Sequence, residues 1–378
     1  MRGQKRGLFL AVFILSASLL VLQQLEMNTN MKMVPLNQKY SDVKRMDDAF
    51  NVFIMNAYLI TDEMVRMTML TLCESFPALR IYAGEHISMP VQHELLQSCD
   101  DRWVIVRSCA YSGRYGNVRI PKRIVEEILA GNTTLQIGYA DVKHNLVPLQ
   151  LIDSRISEDR KATHKLAVCV GPLVQVTDWT QLVRFMEAWI AHGATKFFII
   201  LQSSSEEFDA MLRIYENDVH IDVERVHWGL LPIATNTTPQ DDPNGQIYLG
   251  EVCRSRGGLT ENANACFPSH STFRSMEQSI NDCLLRARGQ ARYVASTDLD
   301  EMFVIRANST LLETVNELVV ASPDAGAVIF RSSYGTFPMI LLPEKIKVAV
   351  AHVVNKMEDS KSSSIVVDPE VGQIYHLR

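Results

Sequence analysis

The sequence predicts an α/β domain in its second half, preceded by a smaller, mostly β region and by an N-terminal membrane anchor. Three patterns lead to this prediction: a basic and then uncharged N-terminus, short apolar runs between turn residues up to about Lys165, and alternating strand and helix patterns from Leu166. Such alternation favours a parallel sheet covered by helices. At 378 residues and 47% hydrophobic content, the chain suits one large or two ordinary domains.

The N-terminus carries Arg2, Lys5 and Arg6 ahead of an uncharged run from Gly7 to Leu22. Basic residues stay on the cytoplasmic side, so the remainder is expected in the lumen. The run is shorter than the ~20 residues that span an average bilayer, which suits the thinner membranes of the early secretory pathway. A signal peptide cleaved near residues 16–18 is the alternative. The expected divisions are a cytoplasmic tail with signal-anchor (1–25), a stem (26–48), a mostly β lumenal region (49–165) and the α/β domain (166–378).

Other features suit the secretory route. Sequons at Asn132, Asn236 and Asn308 are candidate glycosylation sites. Seven cysteines allow up to three disulfides, and five of them lie in polar or loop-like surroundings that favour bridges: Cys73, Cys99, Cys109, Cys253 and Cys266. Cys169 and Cys283 sit on apolar faces and are expected to be core thiols. The net charge of -6, without a basic cluster after the first six residues, disfavours nucleic-acid binding.

The elements of the β region come first in the chain. Apolar runs such as "FNVFIMNAYLI", "RWVIVRS", "LQIGYADV" and "LVPLQLI" predict strands, and "PKRIVEEILAG" predicts a helix. The α/β pattern then begins with "LAVCV" and "KFFIIL", whose continuous apolar character is typical of fully buried strands. The helix between them is predicted to start at Asp178, capped with Gln181, and to end at Gly193. A second helix is predicted to be capped by Ser204 with Glu207.

The later elements lead to the sequence's densest group of acids. "VHIDVERVHW" predicts another strand, residues 229–268 read as a long insertion, and a helix is predicted to end at Gly289. The buried strand "RYVAS" follows, and directly after it come Asp298, Asp300 and Glu301. Ligands of open α/β sheets bind at the carboxyl ends of the strands, so this acidic turn is a candidate site.

Three interpretations of the acidic turn compete. A solvated turn is the simplest, and an EF-hand start fails because its sixth and twelfth positions hold Phe303 and Ser309 instead of Gly and Glu. The third is a divalent ion that bridges carboxylates and a diphosphate, since hard cations take oxygen ligands. The sequence contains neither GxGxxG nor a Walker motif, so a metal-held nucleotide-sugar fits better than a dinucleotide or ATP.

Several blocks resemble glycosyltransferase family 92. They are "LAVCVGPLVQVTDWTQLVRFMEAWIAHGATKFFIILQSSS", "QSINDCLLRARGQARYVASTDLDEMFV", "FRSSYGTF", "DPEVGQIYH" and, nearer the N-terminus, "FIMNAYLITDEMVRM". The resemblance covers most of residues 50–378. It implies a GT-A-type fold, a Golgi type II membrane protein, Mn²⁺, and transfer of galactose from UDP-galactose to a glycan acceptor with inversion, giving a β-linkage. Family members usually continue beyond the position of Arg378, so the resemblance leaves open whether the α/β domain is truncated at its C-terminus.

The resemblance also implies roles for individual residues. Asp298 and Asp300 occupy the Asp-x-Asp positions for metal and nucleotide-sugar, Glu301 supports them at the catalytic centre, and His376 is a further metal ligand. The uracil and ribose pocket is expected along Cys169, Val170, Gly171 and Pro172. Either Lys361 or Arg331 is a candidate to neutralise the diphosphate. The catalytic base stays open among four acids: Glu358, Asp359, Asp368 and Glu370.

Two other classes of protein remain as alternatives. One is an inactive paralogue that binds a nucleotide-sugar or glycan without turnover. The other is a calcium-stabilised adhesion module, which the α/β pattern disfavours because such modules are mostly β-sandwiches.

Overall fold

The computed structural model describes thirteen segments of the chain: residues 33–34, 44–46, 52–72, 76–84, 87–97, 111–140, 146–156, 162–174, 176–228, 270–306, 309–332, 338–350 and 353–376. The predicted anchor, most of the stem, the insertion at 229–268, and the sequons at Asn236 and Asn308 lie outside these residues. Among the described helices, none has both the length and the apolar character needed to cross a bilayer.

Strands dominate the region before residue 154. Its strands are β1 (Met33–Val34), β2 (Lys44–Arg45), β3 (Phe53–Leu59), β4 (Met64–Leu72), β5 (Leu79–Ala83), β6 (Ile87–Pro90), β7 (Gln92–Leu95), β8 (Tyr111–Arg119), β9 (Leu135–Tyr139), β10 (Val147–Leu149) and β11 (Leu151–Asp153). One described helix, α1 (Lys122–Leu129), accompanies them. They form a sheet of order β11-β3-β4-β8-β7, with β2 beside β3, and a second sheet of order β10-β9-β5-β6. The sheets share a core that includes Ile54, Met67 and Ile137.

The second half contains the α/β domain. Its strands are β12 (His164–Leu173), β13 (Lys196–Leu201), β14 (Ser204–Ser205), β15 (Asp222–His227), β16 (Ala291–Thr297), β17 (Glu301–Ile305), β18 (Ala325–Ile329), β19 (Arg331–Ser332), β20 (Met339–Leu341), β21 (Ile346–Val350), β22 (Val353–Met357), β23 (Ser363–Val366) and β24 (Gly372–His376). Its helices are α2 (Trp179–Ala191), α3 (Glu206–Glu216), α4 (His270–Ala287) and α5 (Leu311–Ala321).

The central sheet has the strand order β15-β13-β12-β16-β20-β18-β23. Strands β15, β13, β12 and β16 are parallel, as the sequence pattern predicts. Strand β20 runs antiparallel between β16 and β18, so the sheet is mixed and the expectation of a parallel sheet needs this correction. At three residues, β20 is too short for its direction to show in the hydrophobic pattern.

Helix boundaries follow the capping chemistry closely. The Asp178 carboxylate accepts hydrogen bonds from the backbone N–H groups of Thr180 and Gln181, and Gly193 adopts a φ of 95° after the helix, both as predicted. The next helix corrects the prediction by one residue. Ser205, rather than Ser204, caps α3: its hydroxyl accepts a hydrogen bond from the backbone N–H of Phe208 at 3.2 Å.

A disulfide joins Cys169 of β12 to Cys283 of α4. The expectation that these two cysteines are free core thiols is therefore wrong. Cys169 lies on the sheet face that α4 covers, and Cys283 lies on the side of α4 that packs against it. The two are 114 residues apart in sequence, so only the packing of helix on strand brings them together. The five cysteines predicted as bridge partners (Cys73, Cys99, Cys109, Cys253 and Cys266) lie outside the described residues.

Helix α4 lies between the N-terminal sheet and the central sheet. Its Cys283, Leu284 and Ala287 pack against the central sheet in a cluster that also includes Phe53 of β3. The Asp282 carboxylate points toward the N-terminal sheet. It accepts hydrogen bonds from Asn56, Tyr58 and Thr68 at 2.7–2.9 Å, and from Arg286 Nε at 2.8 Å. A fully buried, fully bonded carboxylate thus fixes the helix between the two sheets.

Candidate functional site

The acidic turn follows the last residue of β16. The backbone N–H of Glu301 donates to the carbonyl of Asp298 at 3.2 Å, which closes a four-residue turn. Leu299 is buried in the core below the turn, whereas Asp298 and Asp300 on either side of it are half-buried. The apolar residue therefore anchors the turn and leaves both aspartates within reach of solvent.

The Glu301 side chain folds back beneath this turn. Its Oε2 accepts hydrogen bonds from the Thr297 hydroxyl and from the backbone N–H of Asp298, both at 3.0 Å. Its other oxygen, Oε1, lies 3.3 Å from His376 Nε2 and is buried. Glu301 thereby ties the position of Asp298 to that of His376.

The Glu301 carboxyl has a raised pKa, and burial is the main cause. It raises the pKa of this carboxyl to about 7, and the negative charge of Asp298 adds to the effect. The hydrogen bonds from Asp298 N–H and Thr297 oppose the shift without cancelling it. A buried acid whose pKa is strongly shifted, next to other acids at a strand end, is typical of a functional site.

The pairing of two strands places His376 next to the acidic turn. Strands β17 and β24 are antiparallel, and their register places His376 directly opposite Glu301. The two residues are 75 positions apart, so the sequence alone predicts neither the pairing nor the contact. The structure thus brings together three of the predicted site residues, Asp298, Glu301 and His376.

The end of β12 forms the neighbouring wall of the site. Val170 is the register partner of Thr297, which places Gly171 and Pro172 beside the start of the acidic turn. Of the four residues predicted to line the nucleotide pocket, Val170 is buried in the core and the Cys169 sulfur is bonded to Cys283. Gly171 and Pro172 are half-buried, so these two are the better placed to contact a ligand.

The backbone conformation and the close packing at position 171 both require a glycine. Its φ of 115° lies in a region that residues with a side chain rarely adopt, and an added Cβ would lie 2.3 Å from the carbonyl oxygen of Ile200. The close approach of β12 to β13 at the site edge therefore depends on the missing side chain.

Some of the other predicted residues lie at the end of the central sheet that carries the acidic turn, and the rest lie at the opposite end. One row of paired residues crosses the sheet near the acidic turn: Ser296, Met339, Ile329 and Val366. Arg331 and Asp368 each follow this row by two residues, as Asp298 does, and Glu370 comes shortly after. With strands about 4.8 Å apart, the ends of β18 and β23 lie about 10 and 14 Å from the end of β16.

Three of the predicted residues lie near the opposite end. Asp359 and Lys361 precede Ser363, which pairs with the first residue of β18. The Glu358 carboxylate binds Arg66 of β4 at 2.7 Å. These three residues therefore lie far from the acidic turn. Of the candidates for neutralising the diphosphate, Arg331 remains near the turn. Of the candidates for the catalytic base, Asp368 and Glu370 remain near it.

The predicted metal ligands fit a divalent cation by their chemistry. Carboxylate oxygens from Asp298 and Asp300 with an imidazole nitrogen from His376 suit Mn²⁺. The buried Glu301 Oε1, which accepts no hydrogen bond from the described residues, adds negative charge directly behind them. In the described part of the chain, no three His, Cys, Asp or Glu side chains are already arranged around one metal position. The metal set stays a prediction.

Sequence reasoning missed one contributor to the site, Thr297. Its buried hydroxyl donates to Glu301 Oε2, and it is the last residue of β16. A threonine directly before three acids was the available signal, since a hydroxyl at a strand end commonly serves a neighbouring carboxylate. Among the predicted glycosylation sites, Asn132 is described, and its exposed side chain follows α1.

Comparisons with known proteins find similarity to glycosyltransferases in this part of the chain. The sequence model of glycosyltransferase family 92 matches residues 164–339, which include β12 and the acidic turn. A glycosyltransferase family 92 protein of Caenorhabditis elegans is 22% identical over 214 residues, covering 55% of this chain and 36% of the relative. The chain therefore spans about a third of that relative's length.

Among solved structures, a cyclomaltodextrinase matches 53% of this chain and 37% of its own, at 10% identity and a TM-score of 0.17. A TM-score at that level carries no argument about the fold. The family match and the curated relative agree with each other and with the resemblance of the sequence blocks. Residues 164–339 of this chain are thus similar in sequence to glycosyltransferase family 92.

Proposed function

We propose that the chain is a metal-dependent inverting glycosyltransferase that moves galactose from UDP-galactose to a hydroxyl of a glycan acceptor, giving a β-linkage. The observation that carries the proposal is the acidic turn at the carboxyl end of β16, beside the Gly171–Pro172 end of β12, inside the family 92 domain. Open α/β sheets bind their ligands at this edge. We further propose that the domain has a GT-A-type fold.

The residues of the turn have separate roles in this proposal. Asp298 and Asp300, with His376, would hold Mn²⁺, which would supply charge neutralisation for the departing diphosphate. Glu301 is a positioning residue that holds the Asp298 backbone and faces His376. Gly171 and Pro172 would line the uracil and ribose pocket.

The cation and base roles fall to residues at the same edge of the sheet. Arg331 would neutralise phosphate charge from the end of β18. The acceptor hydroxyl needs a base as it attacks the anomeric carbon, and an exposed carboxylate is the side chain suited to this. Asp368 and Glu370 are the two base candidates near that edge, and both are exposed.

The N-terminal basic and apolar pattern supports a location in the Golgi membrane. In this proposal the chain crosses the membrane once with its N-terminus in the cytoplasm, and the family 92 domain lies in the lumen. The sequons, including the exposed Asn132, suit that compartment.

The test is a turnover assay on the purified full chain. We expect UDP-galactose to be consumed with Mn²⁺ in preference to UDP-glucose, and EDTA to abolish turnover. Added Mn²⁺ in excess should restore it. Turnover that is unaffected by EDTA would contradict metal dependence, and a preference for another sugar would contradict the donor.

A folded protein that binds UDP and Mn²⁺ but turns over no donor would favour the inactive paralogue. The described residues are compatible with both an active transferase and an inactive paralogue, so the assay decides between them.

A further inference from the structure

A groove lies at the seam between the N-terminal β region and the family 92 domain, and no role has been assigned to it above. Its volume is about 580 Å³. It is lined by the β3–β4 turn (Ile60, Thr61, Asp62 and Glu63), Arg119, Lys122, Arg155, Ile156 and Arg288. We name it the seam groove.

The seam groove is remote from the acidic turn. Arg288 lies three residues before the start of β16, a strand of seven residues, whereas Asp298 immediately follows its end. A strand rises about 3.3 Å per residue, so these seven residues separate the two places by roughly 20 Å. Any ligand of the groove therefore occupies a second site.

Positive charge dominates this groove, although the chain as a whole carries a net charge of -6. Four cationic side chains line it against two carboxylates. Asp62 is already engaged, because it binds Lys122 Nζ at 2.9 Å and Arg155 Nη1 at 2.8 Å. Asp153 holds Arg155 from the other side at 2.8 Å. These contacts fix two of the cations at the rim.

The remaining two cations have no carboxylate partner among the described residues. Arg119 is exposed at the end of β8. Arg288 makes only long contacts, of 3.5 and 3.4 Å, with the carbonyls of Pro343 and Glu344, and its buried Nε donates no hydrogen bond to any described residue. Of the two acids that line the groove, Glu63 is the one with no ion pair to the described residues.

Close backbone packing brings Arg288 to the groove. Gly289, with a φ of 76°, follows it, and an added Cβ there would lie 2.8 Å from the carbonyl oxygen of Arg155. The turn after α4 therefore presses against the segment after β11. Arg119 of the N-terminal β region and Arg288 after α4 both line the groove, so a bound anion would be attracted by both positive charges.

We propose that the seam groove binds the acidic group of a saccharide, a sulfate, phosphate or carboxylate, through Arg119 and Arg288. Guanidinium groups pair with the oxygens of such anions in a fixed two-pronged geometry. The groove's size lies within the range of about 300–1,000 Å³ that holds small ligands in proteins.

The lining decides the kind of molecule that carries the anion. It has two apolar side chains, Ile60 and Ile156, and none of its residues is aromatic. A nucleobase would lack a ring to stack on, so the lining disfavours a nucleotide. The choice of a saccharide rests on the proposed function, but the anion site rests on the groove alone.

Calorimetric titration of the purified full chain tests this proposal. The probes are a sulfated, a phosphorylated and a sialylated oligosaccharide, a neutral oligosaccharide of matched length, and inorganic sulfate, all in EDTA without donor. We expect at least one acidic oligosaccharide to bind, and the neutral one not to. Arg119→Gln and Arg288→Gln should each weaken binding about tenfold, the loss expected for one charge-assisted hydrogen bond.

Arg123→Gln is the matched control. Arg123 is an exposed arginine of α1 that pairs with Glu127 at 3.6 Å and does not line the groove, so its loss should leave binding unchanged. Equal effects of Arg119→Gln and Arg123→Gln, or no binding of any acidic probe, would overturn the proposal. Inorganic sulfate binding as tightly as the oligosaccharides would overturn the saccharide assignment.

Asp298→Asn should bind the acidic probe as the wild type does. This arm separates failure of the groove proposal from failure of the proposed transfer, which the same variant should abolish.

Discussion

Two buried carboxylates in this molecule, Asp282 in α4 and Glu301 at the acidic turn, have opposite surroundings. Asp282 accepts three hydrogen bonds on one oxygen and pairs with Arg286 on the other. Glu301 has two hydrogen bonds on one oxygen, while the other faces His376 at 3.3 Å and no arginine or lysine pairs with it among the described residues. Glu301 also lies beside Asp298, whose negative charge contributes to its raised pKa.

From this difference we interpret Asp282 as a structural carboxylate and propose that Glu301 is a functional one. A buried acid that is fully bonded stabilises the fold as long as its partners remain. A buried acid with an unbonded oxygen and a raised pKa is less favourable to the fold, and such groups cluster at sites where a ligand supplies the missing charge. The comparison therefore predicts different consequences when each acid is changed.

The largest effect on stability is expected at Asp282. Asp282→Ala should lower the free energy of unfolding by about 3–5 kcal/mol, because it leaves Arg286 and the Tyr58 hydroxyl buried with fewer partners. Urea unfolding of both proteins measures the difference. Asp324→Ala, at an exposed turn, should change it by less than about 0.5 kcal/mol. A small effect of Asp282→Ala on the free energy of unfolding would contradict the structural role of Asp282.

Glu301→Gln should do the reverse, with a large effect on activity and a small one on stability. We expect galactose transfer to fall about 10- to 100-fold, as for groups that orient metal ligands, because the charge that faces His376 is lost. Steady-state rates and urea unfolding, measured side by side, give both numbers. Glu317→Gln, an exposed residue of α5, is the control. Transfer within twofold of the wild type would show that Glu301 is only structural.

The smallest effect is expected at Asp209, a third buried acid, and it depends on pH. Burial alone would raise the pKa of Asp209, but hydrogen bonds and charge from Arg225 and Arg213 outweigh it and hold the pKa below its usual value of 3.8. A lowered folded-state pKa stabilises the protein above pH 3.8, and the contribution is lost as pH falls through the folded pKa.

Asp209→Asn should therefore reduce the free energy of unfolding by about 1 kcal/mol at pH 7, because one acceptor oxygen remains. The gap between variant and wild type should narrow as the pH falls below 3.8. Unfolding curves at pH 7, 4 and 3 measure it. A gap that stays constant with pH would show that charge does not contribute at this residue.

Local patterns in the sequence predict most elements of the α/β domain. Asp178 and Gly193 mark the ends of α2 by their own capping chemistry, and the continuous apolar runs mark β12, β13 and β16. The position of the acidic turn after β16 follows from the same reasoning. These features depend on neighbours within a few residues, so a single sequence contains the information.

The features that the sequence does not predict join distant segments. The contact of His376 with Glu301 requires the pairing of β17 with β24, and the disulfide of Cys169 with Cys283 requires α4 to pack on β12. The bonds of Asp282 to the N-terminal sheet have the same origin. Each depends on how elements pack, which the order of apolar and polar residues does not encode locally.

The most direct test of the central claim, that the acidic turn binds metal and nucleotide-sugar, is a rate measurement on two aspartate variants. The purified full chain, Asp298→Asn and the surface variant Asp324→Asn are assayed for UDP-galactose turnover with Mn²⁺. Asp298→Asn should lose turnover and remain folded, whereas Asp324→Asn should match the wild type. Full turnover by Asp298→Asn would contradict the claim.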